Sequence, residues 1–363
     1  MTETSNTSQQ GLQIGPTNSI TDIAGLMIGH ASDEKLKSGV SVVTADAPFT
    51  AAVHVMGAAP GSRETELLAP GRLVEKIDAL VLSGGSAFGL AAADGVMDAL
   101  VASGRGYTIG QAIIPIVPAA ILFDLNNGGD KAWHQNPYPA LGARALQSAA
   151  DNCPIGSIGA GCGAIAGSLK GGLGTASTIT PQGHIVAALV AVNAYGSVIM
   201  PNSRHFWAAM FEVGEEFGGF GLPPTGDPLW TPSRMLSQQA EPEPVTAAAL
   251  SDQRGIATGN TTIGIIATDA TLDKAAAERL AIAAHDGIGR AIVPAHTAVD
   301  GDLVFAAATA AKPPPADTDA VIQLGHAAAH AMARAIARGV YAATPAAGDT
   351  VPCYAGLLAK AKP

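Results

Sequence analysis

The chain has 363 residues, of which 48% are hydrophobic and only 14% are charged, which excludes a largely disordered protein and allows a substantial core. Its net charge of −10 and aromatic content of 4% argue against a nucleic-acid partner, because phosphates would be repelled and few rings could stack on bases. No run reaches the ~18 apolar residues of a membrane-spanning helix, and the amino terminus does not resemble a secretion signal. These features predict a cytoplasmic protein without a membrane partner.

The first part of the chain predicts a tail followed by strands. Residues 1–18 are rich in Ser, Thr and Gln and predict a disordered tail, whereas residues 19–363 predict a single domain. Val-rich runs with alternating character predict strands at 39–45, 50–57 and 79–85.

The middle of the chain changes character several times. Segment 86–104 is rich in Ala and ends in Gly, which predicts a close-packed helix with a glycine cap. Two prolines interrupt the apolar run 112–125, which therefore predicts an edge or irregular strand. Segment 183–200 predicts a long β run that bends near its Asn-Ala-Tyr-Gly sequence. Segment 216–260 is rich in proline and has little periodicity, which in a compact protein indicates a functional or disordered stretch.

Regular patterns return at Thr261. Runs 261–268 and 300–309 predict strands, and runs 271–288 and 318–339 predict helices with one apolar face. Strands interleaved with Ala- and Gly-rich helices predict an α+β fold in which sheets pack on sheets and helices cover the outside.

The junction between Asn260 and Thr261 places a hydroxyl residue at the first position of a predicted strand. A threonine hydroxyl is a poor nucleophile unless a base lies beside it. If Thr261 is the first residue of a chain, its own α-amine, with an ordinary pKa of about 7.7 to 8.0, can be that base. A chain that cuts itself before Thr261, with Gly259 allowing backbone strain, would expose that amine, but the local features alone do not require such a cut. Ordinary turn-to-strand punctuation is the alternative.

Six segments, spread over about residues 20–345, occur in an order that resembles one enzyme family. They are DALVLSGGSAFGLAAADGVMDAL, IVPAAILFDL, GAGCGAIAGSLKGGLGTAS, VAALVAVNAYG, GNTTIGIIATDATL and PAHTAVDGDLVFAAAT. The chain resembles the family that contains L-aminopeptidase/D-esterase, the β-aminopeptidases and the nylon-oligomer endohydrolase. The resemblance implies a four-layer α-β-β-α sandwich of the N-terminal-nucleophile type. It also implies self-cleavage into residues 1–260 and 261–363, and amide hydrolysis by the exposed Ser or Thr.

The resemblance assigns roles to five residues. It implies Thr261 as the nucleophile, Lys170 near its hydroxyl, and Asn193 as support for the oxyanion. It implies Asp300 and Asp302 as paired carboxylates that hold the Thr261 amine and Lys170. In a strand, residues 300 and 302 would point to the same side, which suits joint binding of a cation. Taken singly, Asp-Gly-Asp also fits a hairpin turn, Lys170 a surface lysine and Asn193 a turn former.

Three residues are predicted to line the substrate pocket. The nylon-oligomer enzyme of the family carries a Tyr where this chain has Phe123, so either that hydroxyl is dispensable or another group such as Tyr195 replaces it. The Gly-rich segment around Ser86 predicts a helix-sheet contact and a pocket wall. Ser86 as a nucleophile is the alternative.

Other motifs are weaker. Segment 83–89 lacks the Gly-Lys-Ser/Thr ending of a phosphate-binding loop, and segment 159–164 fits a dinucleotide-binding pattern only loosely. His326 and His330 have metal-ligand spacing but no third ligand nearby in sequence. The three cysteines have no disulfide framework spacing, which indicates a reducing compartment. We therefore expect no metal and no cofactor.

Taken together, the sequence predicts an amide hydrolase that activates itself and acts on small linear amides or peptides, including oligomers of ω-amino acids. An acyltransferase of the same architecture is the alternative, and a nucleotide-binding module that uses the Gly-rich turns is a third hypothesis. The resemblance further suggests a homo-oligomer of cleaved heterodimers.

Overall fold

A computed structural model describes residues 11–224 and 259–360, with the side chains of the last two outside the description. The five α-helices in these ranges are α1 (Ala92–Ala102), α2 (Tyr138–Gln147), α3 (Lys274–Ala291), α4 (Thr318–Tyr341) and α5 (Tyr354–Lys360). The strands are β1 (Gln13–Ile14), β2 (Leu26–Asp33), β3 (Ser38–Val55), β4 (Ser62–Arg63), β5 (Lys76–Ser83), β6 (Tyr107–Ile109), β7 (Ala112–Ile114), β8 (Ala119–Ile121), β9 (Ile165–Ala166), β10 (Leu169–Lys170), β11 (Gly172–Ile179), β12 (Ile185–Asn193), β13 (Thr261–Ala270) and β14 (Leu303–Lys312). None of the helices in these ranges meets the length and apolarity that a bilayer crossing requires.

Ten strands form one sheet that folds back on itself. Its order is β1-β11-β12-β13-β14-β3-β5-β8-β4, with β2 also paired to β3. The long strand β3 joins the two halves, because its second part pairs with β14 and its first part pairs with β5 and β2.

Alternating side chains of the strands build the layers. In β12, Val186, Ala188 and Val190 pack with α3 and α4, whereas Ala187, Leu189 and Ala191 face the core between the two halves of the sheet. A third core cluster lies between α1, α2 and the first part of β3 with β2 and β5. The period of two in a strand thus produces four layers, helices outside and sheets inside. This confirms the predicted α+β sandwich of α-β-β-α type.

Several local predictions need correction. Segment 39–45 and residues 50–55 of segment 50–57 belong to the single strand β3, which pairs with different neighbours along its length and does not turn back. Residues 13 and 14 pair with β11, so the structured part begins before the predicted end of the tail at residue 18. Residues 1–10 and 225–258 lie outside the described ranges, and with them most of the proline-rich segment 216–260.

Candidate active site

The site lies where β13 and β14 begin. The two strands are parallel, so both start at the same edge of the sheet, and the loop before β14 meets the first residues of β13. Thr261 is the first residue of β13, is 4% exposed, and stands opposite Asn193 at the end of β12. Asn260 forms a parallel bridge with Asp300. The topology therefore brings Asn193 and Asp300, which are distant in sequence, to the junction between Asn260 and Thr261.

The carbonyl oxygen of the peptide bond before Thr261 accepts two hydrogen bonds. The Gly301 N–H donates to the Asn260 carbonyl at 2.9 Å, and the Thr261 hydroxyl donates to the same oxygen. A β-carbon added to Gly301 would lie only 2.8 Å from Thr261 Oγ1 and 2.5 Å from the Ala59 carbonyl oxygen. The close approach of loop and junction thus depends on glycine at 301.

Asp302 supports the junction from the other side. It is 2% exposed, and its Oδ1 accepts a hydrogen bond of 2.6 Å from the Thr262 N–H. Its Oδ2 accepts from the His296 N–H at 3.1 Å and lies 2.8 Å from His296 Nδ1. The carboxylate therefore connects Thr262 to the loop 296–302.

Asp300 faces a different set of donors. Its Oδ1 accepts from the Tyr195 N–H at 3.1 Å, and its Oδ2 accepts from the N–H of Thr297 at 3.0 Å and from the Thr297 hydroxyl. Burial, followed by the charge of Asp302, raises the pKa of the Asp300 carboxyl. The two carboxylates are close enough to interact, but they precede β14, which begins at Leu303. The expectation that both lie within a strand is therefore wrong.

Lys170 is also buried, with a partner that the sequence analysis did not identify. Its Nζ donates to Asp349 Oδ2 at 2.8 Å, and Lys37 Nζ lies 2.6 Å from the other oxygen of the same carboxylate. These two lysines lower the pKa of Asp349 against the opposing effect of burial. The expected pairing of Lys170 with Asp300 and Asp302 is thus replaced by a pairing with the segment after α4. Lys170 nevertheless directly precedes the residues that pair with β12, at the end of the sheet where Thr261 lies.

Asn193 is engaged at both ends of its amide. Its Nδ2 donates to the Phe123 carbonyl at 3.0 Å, and its Oδ1 accepts from the Ile165 N–H at 2.9 Å. These bonds fix Asn193 beside Thr261 and link it to the loop after β8. The amide is therefore held in place next to Thr261.

The predicted pocket residues approach the junction by different routes. Phe123 packs on Gly259, since a β-carbon added there would lie 2.7 Å from the Phe123 side chain. Tyr195 reaches Asp300 through its backbone N–H. Ser86 adopts φ +52 and donates its N–H to the Leu122 carbonyl at 2.9 Å, so the Gly-rich loop lies beside Phe123. The structure thus places all three residues around the same strand ends.

The structure explains the Gly-rich segments 83–89 and 159–164 and the pair of histidines on α4. The Gly85 N–H, which a phosphate would need, donates instead to Asp124 at 2.8 Å, so a carboxylate already occupies that position. The turn Gly159–Gly161 packs closely on β11. The His326 and His330 rings contact each other with centroids 4.4 Å apart. Across residues 11–224 and 259–360, no cluster of three or more His, Cys, Asp or Glu could hold a metal ion.

Three residues of the site escaped the sequence analysis. Gly301 and His296 lie in the segment PAHTAVDGD, but their importance depends on contacts with Asn260 and Asp302. Asp349 lies 179 residues from Lys170 in a segment without a motif. The one signal in the sequence for Gly301 and His296 is that both lie in a segment that carries the family resemblance.

Comparison with solved structures identifies the fold class. The Burkholderia sp. beta-aminopeptidase superposes with a TM-score of 0.65 at 24% identity, covering 96% of this chain and 94% of that chain. The L-aminopeptidase D-Ala-esterase/amidase from Ochrobactrum anthropi, described as a variant of the Ntn hydrolase fold, gives 0.66 at 21% identity with the same coverage. The sandwich described above is therefore an N-terminal-nucleophile hydrolase fold.

Sequence comparison identifies the family. The model of Peptidase family S58 matches residues 18–351, so the chain belongs to that family and is a hydrolase that acts on amides. An uncharacterized aminopeptidase of Mycobacterium tuberculosis is 42% identical over 361 residues, covering 94% of this chain and 98% of the relative. A 6-aminohexanoate-oligomer endohydrolase of Agromyces sp. is 30% identical over 292 residues, covering 79% of this chain and 74% of the relative.

The close approach of Gly301 to Thr261 can be tested by substitution. We expect Gly301→Ala to slow any reaction at the Asn260 carbonyl strongly, because the new methyl group would clash with both Thr261 Oγ1 and the backbone of Ala59. Cleavage of the chain would be followed by intact mass over time. Gly289→Ala is the matched control, since a β-carbon there meets nothing within 4 Å. Equal behaviour of the two variants would contradict the role of the close approach.

Proposed function

We propose that this chain cuts itself between Asn260 and Thr261 and then uses Thr261 to hydrolyse small linear amides. The contact that carries the proposal is the meeting of the Thr261 hydroxyl and the Gly301 N–H on one carbonyl oxygen, that of Asn260. A nucleophile adjacent to a polarised carbonyl is the arrangement that an intramolecular acyl shift requires.

The self-cleavage step follows from those contacts. Thr261 Oγ1 attacks the Asn260 carbonyl carbon, and the Gly301 N–H stabilises the negative oxygen that forms. The bond from this carbon to the Thr261 nitrogen breaks, and the nitrogen takes up the hydroxyl proton to become an amine. Water then hydrolyses the resulting ester, which leaves Asn260 with a carboxylate and restores the Thr261 hydroxyl.

The mature enzyme would use the new amine as its base. The Thr261 α-amine accepts the hydroxyl proton while Oγ1 attacks the substrate carbonyl, and the departing amine product receives that proton. Water releases the acyl group in a second step. We assign Asp302 to the orientation of the amino-terminal residues through its 2.6 Å bond to the Thr262 N–H. Asn193 and nearby N–H groups would stabilise the oxyanion, and Asp300 together with Asp302 would bind the new α-amine of Thr261.

Lys170 also has a role in this proposal, although it pairs with Asp349 and not with Asp300 and Asp302. Its ammonium group is buried at the same end of the sheet, and Asp349 is its counter-ion. We propose that Lys170 supplies positive charge to the site, with Asp349 as its buried counter-ion.

The substrate class rests on the relatives and on the pocket. One relative is named for 6-aminohexanoate oligomers and others are named aminopeptidases. Phe123, Ser86 and Tyr195 would form the walls that contact the acyl part of a linear amide. We propose that the substrates are short peptides or oligomers of ω-amino acids. A homo-oligomer of cleaved heterodimers stays a prediction, as does a cytoplasmic location.

Intact mass, amino-terminal sequencing and product analysis together test the proposal. Purified wild-type protein should contain a fragment that begins Thr-Thr-Ile-Gly, and this material should hydrolyse linear 6-aminohexanoate oligomers or amino-acid amides. The assay is repeated with an added amine acceptor, because an acyltransferase would then form a new amide in place of the free acid. Full activity in protein whose backbone is unbroken between residues 260 and 261 would refute the mechanism.

A further inference from the structure

Asp124 is a buried carboxylate directly after a residue that touches the cleavage junction. It is 2% exposed and follows Phe123, whose side chain packs on Gly259. The Phe123 carbonyl also accepts the amide N–H of Asn193 at 3.0 Å. Neither self-cleavage nor amide hydrolysis as proposed above uses Asp124, so its own contacts must show which part of the site it supports.

The Asp124 side chain extends the pairing between the segment after β8 and the segment after β5. The Leu122 N–H donates to the Ser83 carbonyl at 2.9 Å, a bond between two backbone groups. Two residues further along, Asp124 Oδ1 accepts the Gly85 N–H at 2.8 Å. Phe123 is therefore held from both sides in sequence, by the backbone of Leu122 before it and by the carboxylate of Asp124 after it.

Close packing fixes the carboxylate against the Gly-rich loop. A β-carbon added to Gly84 would lie 2.2 Å from Asp124 Oδ2, and one added to Gly85 would lie 2.1 Å from the Tyr138 ring. Gly85 has φ +85, a conformation that glycine adopts without strain. The fit between the carboxylate and the loop thus depends on both glycines.

We propose that Asp124 is a positioning residue that fixes the backbone of Phe123 through its bond to the Gly85 N–H. The Phe123 carbonyl then holds the Asn193 amide beside Thr261. The inference rests on the proposed function, because it assigns Asp124 to the support of a group that would stabilise the oxyanion. Asp124 acts through these neighbours.

Substitution by Asn separates the hydrogen bond of Asp124 from its charge. Asn keeps an oxygen that can accept the Gly85 N–H, whereas Ala removes it. Ser carries its oxygen one bond closer to the backbone, and it is added because it retains a polar atom where Ala leaves an empty space. Burial raises the pKa of the Asp124 carboxyl, against the opposing charge of Lys131. The position disfavours a negative charge, so the uncharged Asn should fit it.

Asp78→Ala is the matched control, since it removes the same kind of bond at the other end of the same two strands. Asp78 is 3% exposed, and its Oδ2 accepts the Ile116 N–H at 2.9 Å. It joins the start of β5 to the segment before β8, whereas Asp124 joins the segments that follow these strands. The control therefore matches Asp124 in burial and in the group that is lost.

The variants are made as full chains by cell-free synthesis, and cleavage is followed over time by intact mass. The kcat, KM and melting temperature of the matured protein are then measured, with amino-acid amides and linear 6-aminohexanoate oligomers as substrates. We expect Asp124→Ala and Asp124→Ser to slow cleavage and to lower kcat by about tenfold, the effect of losing one buried hydrogen bond. Asp124→Asn and Asp78→Ala should stay within about threefold of wild type in both rates, by the same reasoning. Asp78→Ala should nevertheless lower the melting temperature as much as Asp124→Ala.

The results separate positioning from stability. Wild-type rates in Asp124→Ala and Asp124→Ser, or equal losses in Asp124→Asn or in Asp78→Ala, would overturn the inference. A loss confined to KM would also overturn it, because Asp124 would then support only the pocket wall. Protein that is active but uncut would refute the proposed function. In that case the difference in kcat between the Asn and Ala variants would still decide the role of Asp124.

Discussion

Thr261→Ala should remain a single chain of 36.2 kDa and should not hydrolyse amides. The substitution removes the hydroxyl that contacts the Asn260 carbonyl oxygen and leaves the surrounding backbone bonds in place. Wild-type protein should instead give fragments of about 26 and 10 kDa, in proportion to residues 1–260 and 261–363. Denaturing electrophoresis with intact mass distinguishes the two patterns.

Two controls sharpen this result. Thr261→Ser keeps the hydroxyl and the future amine and should therefore be cut and active. Thr262→Val changes the adjacent residue, whose buried Oγ1 has no hydrogen-bond partner within the described ranges, and it should also be cut. Cleavage of Thr261→Ala, or its absence in Thr262→Val, would show that the junction works differently.

Asp302→Ala should fold but lose turnover by at least about a hundredfold, the range known for removal of one preorganised electrostatic group. The substitution leaves the buried Thr262 N–H without its 2.6 Å partner, so the residues that carry the nucleophile lose their orientation. Steady-state kinetics on a linear amide and thermal unfolding are measured on the same preparation.

Asp269→Ala is the matched control for the loss of a buried carboxylate. Asp269 lies near the opposite end of β13, is 2% exposed, accepts the Ile185 N–H at 2.9 Å and pairs with Lys312 at 3.0 Å. We expect it to lower the melting temperature about as much as Asp302→Ala and to retain turnover. If both variants lose activity equally, Asp302 contributes only stability.

Thr261→Ala and Asp302→Ala change neighbouring parts of one site. Oγ1 of Thr261 and the N–H of Gly301 act on one oxygen, and Asp302 holds the next peptide group along β13. Thr261, Gly301 and Asp302 thus meet where the two parallel strands β13 and β14 begin. A shift of the loop before β14 would disturb all three together, so their variants should be non-additive.

The pattern of apolar residues along the sequence was sufficient to predict the strand and the helices near the site. The alternation of Ile263, Ile265 and Ala267 predicted β13, whose first residue is Thr261, and the apolar faces of the last two long helices predicted α3 and α4. The Val-rich segments before residue 58 were misread because a strand of 18 residues contains a polar interruption that resembles a turn. The strand β11 was not predicted, since Gly, Ser and Thr fill most of it and its burial comes from α4 and β12.

The sequence by itself determined the family resemblance and predicted Thr261 and the junction before it, because these depend on residue types within short segments. Tertiary structure alone decided the partners of the charged groups. Lys170 contacts Asp349 because the segment after α4 returns to the sheet, and Asp302 contacts His296 because both lie in the loop before β14. The periodicity of the sequence does not encode such contacts. Burial then makes those pairings obligatory, since a carboxylate or ammonium without a partner is costly in a core.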